Sequence, residues 1–192
     1  MKKNLLTAVL MTIATTILLG IIYPLLVTGL AQVIFPRQAN GELIVVNGKL
    51  VGSHLIGQSF SGPEYFHSRP SNAGNGYDPM NSNGSQLGPT NHQLIDRIKS
   101  DVAALQAEHP GTPVPIDLVT SSASGLDPDI TPAAAEYQLS RVAKQRGLSE
   151  ERVREIVREH TADRQFGFLG ESRVNVLELN LALNQISQKA SR

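Results

Sequence analysis

From Asn4 to Pro36 the chain carries no Asp, Glu, Lys or Arg and reads NLLTAVLMTIATTILLGIIYPLLVTGLAQVIFP. About 20 apolar residues of helix cross the hydrocarbon core of a bilayer, so this stretch is long enough to span one. Gly29-Leu30-Ala31 would offer small residues to a signal peptidase. The apolar core of a secretory signal is only about 7–15 residues long, however, and the greater length here favours a retained anchor. Lys2 and Lys3 precede the stretch, and no further basic residue comes before Arg37. By the positive-inside rule, residues 1–4 stay in the cytoplasm and residues 5–30, with a boundary reaching towards 36, cross the membrane. Residues 37–192 then form an exported, periplasmic domain.

The anchor also has an internal pattern. Ala8, Thr12, Thr16 and Gly20 recur every fourth residue, and Pro24 and Thr28 continue the spacing. Thr and Gly are common in membrane helices, but a small-residue stripe lets a second helix approach closely in lipid. The pattern predicts a face that docks on a partner helix.

Beyond the anchor enough chain remains for one globular domain with a real core. The whole chain has 17 acidic and 17 basic residues. Without Lys2 and Lys3 the exported part is slightly acidic, which gives no support for a nucleic acid partner. The absence of Cys excludes thiol catalysis, Cys-zinc sites and disulfides.

Local signals then outline the domain. Asn47-Gly48 between two apolar runs predicts a hairpin with strands near Glu42–Val46 and Lys49–Val51. Leu55-Ile56 and Tyr65-Phe66 are candidates to extend that sheet. Ser71 to Pro89 is so rich in Asn, Gly and Ser that it predicts an irregular loop, of a length usually reserved for function or mobility. Its glycines lack the leading strand and the following Lys-Ser/Thr of a phosphate-binding loop.

Thr90 with Gln93 has the form of a capping box, opening a helix whose Leu94, Ile98, Val102 and Leu105 share a face until His109-Pro110-Gly111. Asp117–Thr120 reads as a buried strand, and the following SSASGLDPDITP as turns. Thr131 as N-cap and Pro132 as first residue begin a helix that runs to Arg146 and stops at Gly147. Ser149 caps the next helix, with Val153, Ile156, Val157 and His160 facing inward and with Glu150–Arg154 and Glu155–Arg158 as ion pairs on its outer face. Arg173–Leu177 reads as a strand, followed by an amphipathic helix carrying Leu179, Leu183 and Ile186. No regular βαβ repeat appears, so the fold class is a single N-terminal transmembrane helix plus an α+β soluble domain.

Catalytic signatures are absent from the sequence. The histidines at 54, 67, 92, 109 and 160 are too scattered for any metal-site spacing, so no metal is expected. Asp127-Pro128-Asp129 reads as a turn and not as a calcium loop. There is no G-x-S-x-G elbow. On residues alone the domain is non-catalytic, and the alternative is a membrane-tethered exported hydrolase or ligand-binding domain that uses the Ser71–Pro89 loop.

Four segments carry a family resemblance: IGQSFSGPEYFHSRPS from Ile56, GSQLGPTN from Gly84, VPIDLVTSSASGLDPDITPAAAEYQLSRVAKQRG from Val114 and GFLGESRVNVLELNLAL from Gly167. With the anchor, they resemble the C-subunit family of the Kdp potassium-transporting ATPase, the bacterial high-affinity potassium uptake complex.

The resemblance implies a non-catalytic subunit of the inner membrane, partnered by a channel-like potassium-binding subunit and an ATP-hydrolysing P-type subunit. Consistently, the chain has neither an Asp-Lys-Thr-Gly phosphorylation sequence nor a Thr-Val-Gly-Tyr-Gly filter. It further implies a catalytic chaperone that raises the ATP affinity of the pump subunit, with Gln138 as the nucleotide-contacting residue. The orientation of the anchor sends Gln138 to the side without ATP. On that reading the chain binds no cofactor by itself, and ATP acts only through the partner.

Overall fold

The computed structural model describes residues 2–190, with side chains as far as residue 186. Met1 and residues 191–192, the ends of the expected cytoplasmic and exported segments, lie outside the described residues. The chain divides into two compact units, Met1–Val51 and Gly52–Arg192.

In the first unit one apolar helix of 33 residues runs from Lys2 to Ile34, and none of its residues is buried. At 1.5 Å per residue it is about 50 Å long, enough to cross a bilayer with a tilt. It consists of α1 (Lys2–Ile17), a π turn (Leu18–Ile22) and α2 (Tyr23–Ile34). The π turn has a local cause. Pro24 has no N–H to give to the Gly20 carbonyl and its ring crowds that carbonyl, and Tyr23 N–H reaches back to Leu18 O. A short helix, α3 (Pro36–Ala39), follows. Next come strands β1 (Leu43–Val46) and β2 (Lys49–Ser53, whose last two residues belong to the second unit), paired as the Asn-Gly signal predicts. Asn47 and Gly48 have φ of 52° and 75°, the left-handed pair that a two-residue hairpin turn requires.

The second unit is built on helices α4 (His92–Glu108), α5 (Pro132–Arg146), α6 (Glu150–Glu159) and α7 (Val176–Ala190). Beside them lies a small antiparallel sheet of β3 (Asp129–Ile130), β5 (Arg173–Asn175) and β4 (Thr161–Ala162), in that spatial order. Central β5 sets Val174 opposite Ile130 on one side and Thr161 on the other. Leu139, Val142, Val153, Ile156, Val174, Val176, Leu179 and Leu183 close the core with Phe66. At roughly 25 cal/mol per Å² of apolar area, each such side chain contributes about 1.5–3 kcal/mol. The whole is a single long apolar helix plus an α+β domain, the class expected.

Caps decide the helix boundaries. Thr131 Oγ1 accepts from Ala134 N at 3.1 Å, Ser149 Oγ accepts from Arg152 N at 3.2 Å, and Gly147 ends α5, all as expected. The capping box at Thr90 is a correction: Asn91 is the N-cap, its Oδ1 accepting from Gln93 N at 2.8 Å. Asn175 serves α7 in the same way, accepting from Glu178 N at 3.1 Å, so the strand read as Arg173–Leu177 stops at Asn175.

Other expectations also need correction. Asp117–Thr120 is not a strand but a 3-10 turn over Ile116–Leu118. Its burial is as expected, and the buried Asp117 carboxylate accepts from Thr131 N at 2.7 Å and from Thr131 Oγ1 at 3.2 Å. Asp129-Ile130, read as turn, pairs with β5. Tyr65-Phe66 joins no sheet, and Ile56 makes only an isolated bridge with Ser53. On α6, Glu155 pairs with Arg152 and not Arg158, while Arg154 bridges Glu150 at 3.9 Å and Glu136 at 2.6 Å.

The Ser71–Pro89 loop is irregular, with one 3-10 turn at Pro79–Asn81, yet it is pinned against Ser122–Leu126. Asn83 N and Ser82 Oγ both donate to Ser124 O at 2.9 Å, and Ser71 Oγ donates to Gly125 O at 2.6 Å.

Candidate functional site

Gln138 sits on α5 four residues after Ala134 and four before Val142, and all three are buried. Its carboxamide faces the segment Pro63–His67, which turns at its start, where Tyr65 N donates to Gly62 O at 3.1 Å, and belongs to no helix or sheet. Gln138 Oε1 accepts from His67 N at 2.8 Å and from Arg141 Nη2 at 2.8 Å. Its Nε2 donates to His67 O at 3.1 Å and to Ala134 O at 3.2 Å. A glutamine side chain offers two acceptor lone pairs and two donor hydrogens, and all four are used.

One residue back, Asn180 of α7 repeats the arrangement from another element. Its Oδ1 accepts from Phe66 N and its Nδ2 donates to Phe66 O, both at 2.9 Å. The two carboxamides act as stand-ins for neighbouring strands and satisfy backbone that no sheet reaches. Arginines complete the clamp. Arg141 Nη1 donates to Pro63 O at 2.6 Å and Tyr65 O at 3.0 Å, and Arg146 Nε donates to Glu64 O at 2.6 Å. Arg146 also lies 5.1 Å from the Tyr65 ring centre and donates to Asn184 Oδ1 at 3.0 Å. From residue 63 to 67, every carbonyl is held by a side chain of α5 or α7.

Beside Gln138 is a cavity of about 200 Å³ lined in part by His67, Glu108, His109, Tyr137 and Arg141. Arg141 approaches Glu108 at 3.9 Å, Tyr137 donates its hydroxyl to Leu105 O at 2.8 Å, and the His109 ring meets the Tyr137 ring edge-on at 4.7 Å. Burial pushes the His67 imidazole below its ordinary 6.5, with Arg141 acting in the same direction and the Gly62 carbonyl, Glu108 and Glu64 opposing. Burial likewise lowers the Arg141 guanidinium below its ordinary value, against Glu108 and Glu64.

Because the fold lowers the His67 value, it favours the neutral ring. That contribution to stability is complete above 6.5 and is lost as pH falls through the folded value. The unfolding temperature is therefore expected to drop as the pH falls below about 6.5. His67→Gln, which can still donate towards Gly62, should flatten that profile in thermal melts.

In the membrane helix, Thr12 Oγ1 donates to Ala8 O at 2.9 Å and Thr15 Oγ1 to Met11 O at 2.8 Å, so these hydroxyls are satisfied within their own helix. Ala8, Thr12 and Thr16 lie on α1 and Gly20 in the π turn. Four-residue steps drift around an α-helix of 3.6 residues per turn, and the wider π turn works against that drift near Gly20. A Cβ on Gly20 would meet only Thr16 Cγ2, at 3.9 Å, so the space there is open.

The nominated residues thus fall in separate places, with Gln138 inside the second unit and the small-residue stripe along the helix. Among the described residues no three His, Asp or Glu groups are arranged to hold a metal ion. Asn180, Arg141 and Arg146 were not singled out from sequence. A signal was present, because Asn180 stands between Leu179 and Leu183 on the apolar face of its helix and Gln138 between Ala134 and Val142. A carboxamide on such a face needs a buried partner.

The family described as "KdpC: K+-transporting ATPase, c chain" matches residues 5–185. A Koribacter versatilis protein named potassium-transporting ATPase KdpC subunit is 64% identical over 184 residues, covering 96% of this chain and 95% of that protein. Its namesakes from Acidobacterium capsulatum and Rhodopseudomonas palustris (strain BisB18) are 62% and 54% identical, each over 96% of this chain and over 99% and 98% of their own lengths. With the match running from the membrane helix into α7, the chain belongs to the KdpC family, the c chain of the K+-transporting ATPase.

Proposed function

We propose that this chain is the assembly and stabilising subunit of the ATPase, with its N-terminus in the cytoplasm and its α+β domain on the outer face of the inner membrane. There the domain caps the entrance of the channel-like potassium-binding subunit. The helix docks on partner helices through Ala8, Thr12, Thr16 and Gly20. The observation that carries this reading is the placement of charge: Lys2 and Lys3 at one end of an uncharged helix and no basic residue before Arg37 at the other.

The saturated carboxamide of Gln138 agrees with it, since a nucleotide could bond there only by displacing His67, Ala134 or Arg141. Any gain in ATP affinity at the P-type subunit then travels through the membrane helices as a coupling free energy, typically about 1–3 kcal/mol.

Reporter fusions after Arg192 test the orientation. A reporter that matures only outside the cytoplasm should be active there, and activity of a cytoplasm-only reporter would reverse the reading. For the docking face, Gly20→Leu fits its own helix but fills the stripe. It should weaken copurification with the partner subunits about tenfold, the equivalent of roughly 1.4 kcal/mol, with insertion intact. Unchanged copurification would mean that the domain holds the complex and the helix only tethers it.

A further inference from the structure

Between β4 and β5 the chain reverses through Gln165–Leu169, closed by Gln165 N to Leu169 O and Leu169 N to Gln165 O, each 2.9 Å. The turning residues Phe166 and Gly167 have φ of 53° and 79°. Glycine is at home in that region and Asn tolerates it, whereas a bulky aromatic residue is sterically disfavoured there. The fold returns nothing for the strain, because the Phe166 ring is 86% exposed, with Phe168 at 70% and Leu169 at 47%. An outlier kept without internal packing points to a use outside the chain.

Three occupants can be compared. Anionic lipid is drawn by basic surplus, yet the flanks hold two acids, Asp163 and Glu171, and two bases, Arg164 and Arg173, with Arg173 tied to Asp129 at 3.0 Å. A second copy needs about 800 Å² from each side, and two exposed Phe with a Leu supply roughly 400 Å². A partner subunit already held by other contacts needs only an anchor, and rigid aromatic side chains filling a pocket serve as such anchors.

We propose that Phe166 and Phe168 form an aromatic anchor that inserts into an apolar pocket on the outward-facing surface of another subunit of the ATPase. The proposal rests on the reading that the domain meets its partners outside the cytoplasm. The double variant F166N/F168S relaxes the turn and removes both rings, so the full chain should melt at the same temperature or higher. Its retention during extended washing, when the assembled complex is captured through a tag on another subunit, should fall tenfold or more. Undiminished retention would overturn the anchor.

A photo-crosslinking amino acid in place of Phe168, in the complete complex, locates the pocket. An adduct on an outward-facing segment of another subunit supports the proposal. An adduct on a cytoplasmic segment would keep the anchor and overturn the outward reading. Adducts only to lipid, or only to a second copy of this chain, would overturn the partner pocket itself.

Discussion

Gln138→Leu should lower the unfolding temperature of the full chain by about 6–12 °C, without changing the ATP affinity of those complexes that still assemble. Leucine matches the volume but leaves the His67 N–H, the His67 carbonyl and one Arg141 N–H without their partner in a buried setting. Each orphaned group costs about 1–3 kcal/mol when water cannot reach it, and a total near 3 kcal/mol is within the range of single buried-polar losses. For a domain of this size about 2–4 °C accompanies each kcal/mol. Thermal melts beside nucleotide-dependent ATPase measurements separate the two roles of Gln138. A variant that melts normally yet raises the ATP requirement would make it a ligand contact and not a clamp.

Gly125→Ala should be at least as damaging, by about 3–4 kcal/mol. Gly125 has φ of 68°, and a Cβ there would lie 2.5 Å from Asn83 O and 2.8 Å from Ala73 N, both backbone atoms that cannot rotate away. Left-handed strain for an L-residue costs roughly 1–2 kcal/mol, and displacing the loop loses the bonds from Ser71 and Asn83 as well. The Ser71–Pro89 loop should then be cut by protease at least tenfold faster. Gly88→Ala is the control, since nothing lies within 4 Å of its Cβ position and its φ is not in that region. Equal protease sensitivity of the two variants would show that the loop does not depend on this contact.

These two expectations rest on contacts that no local reading reveals. Local chemistry was legible: Thr131, Pro132, Gly147 and Ser149 set helix boundaries through groups within a few residues, and Asn47-Gly48 fixed a hairpin through its own backbone preferences. The errors came where a distant partner decided the matter. Asp117-Leu118 has the apolar look of a strand, yet Asp117 turns to bond Thr131, fourteen residues away. Pro63–His67 looks like loop or edge strand, but its backbone is satisfied by Gln138, Arg141, Arg146 and Asn180, drawn from two helices. Residue type identified Gln138 through a family resemblance, and only its neighbours in space show why a carboxamide stands there.

The family supplies the role of an accessory subunit of the potassium-transporting ATPase, not of an enzyme acting alone. The proposed orientation places the domain on the side of the membrane away from ATP.

The absence of cysteine from the chain makes a direct measurement possible. Met80 is 88% exposed, and Met80→Cys gives this chain its one thiol, which can be read on the chain itself after the complex is separated into its subunits. A maleimide that cannot cross the inner membrane should label it in intact cells as fully as after lysis. Labelling only after lysis would contradict the account, since it would place the domain, with Gln138, on the same side as ATP.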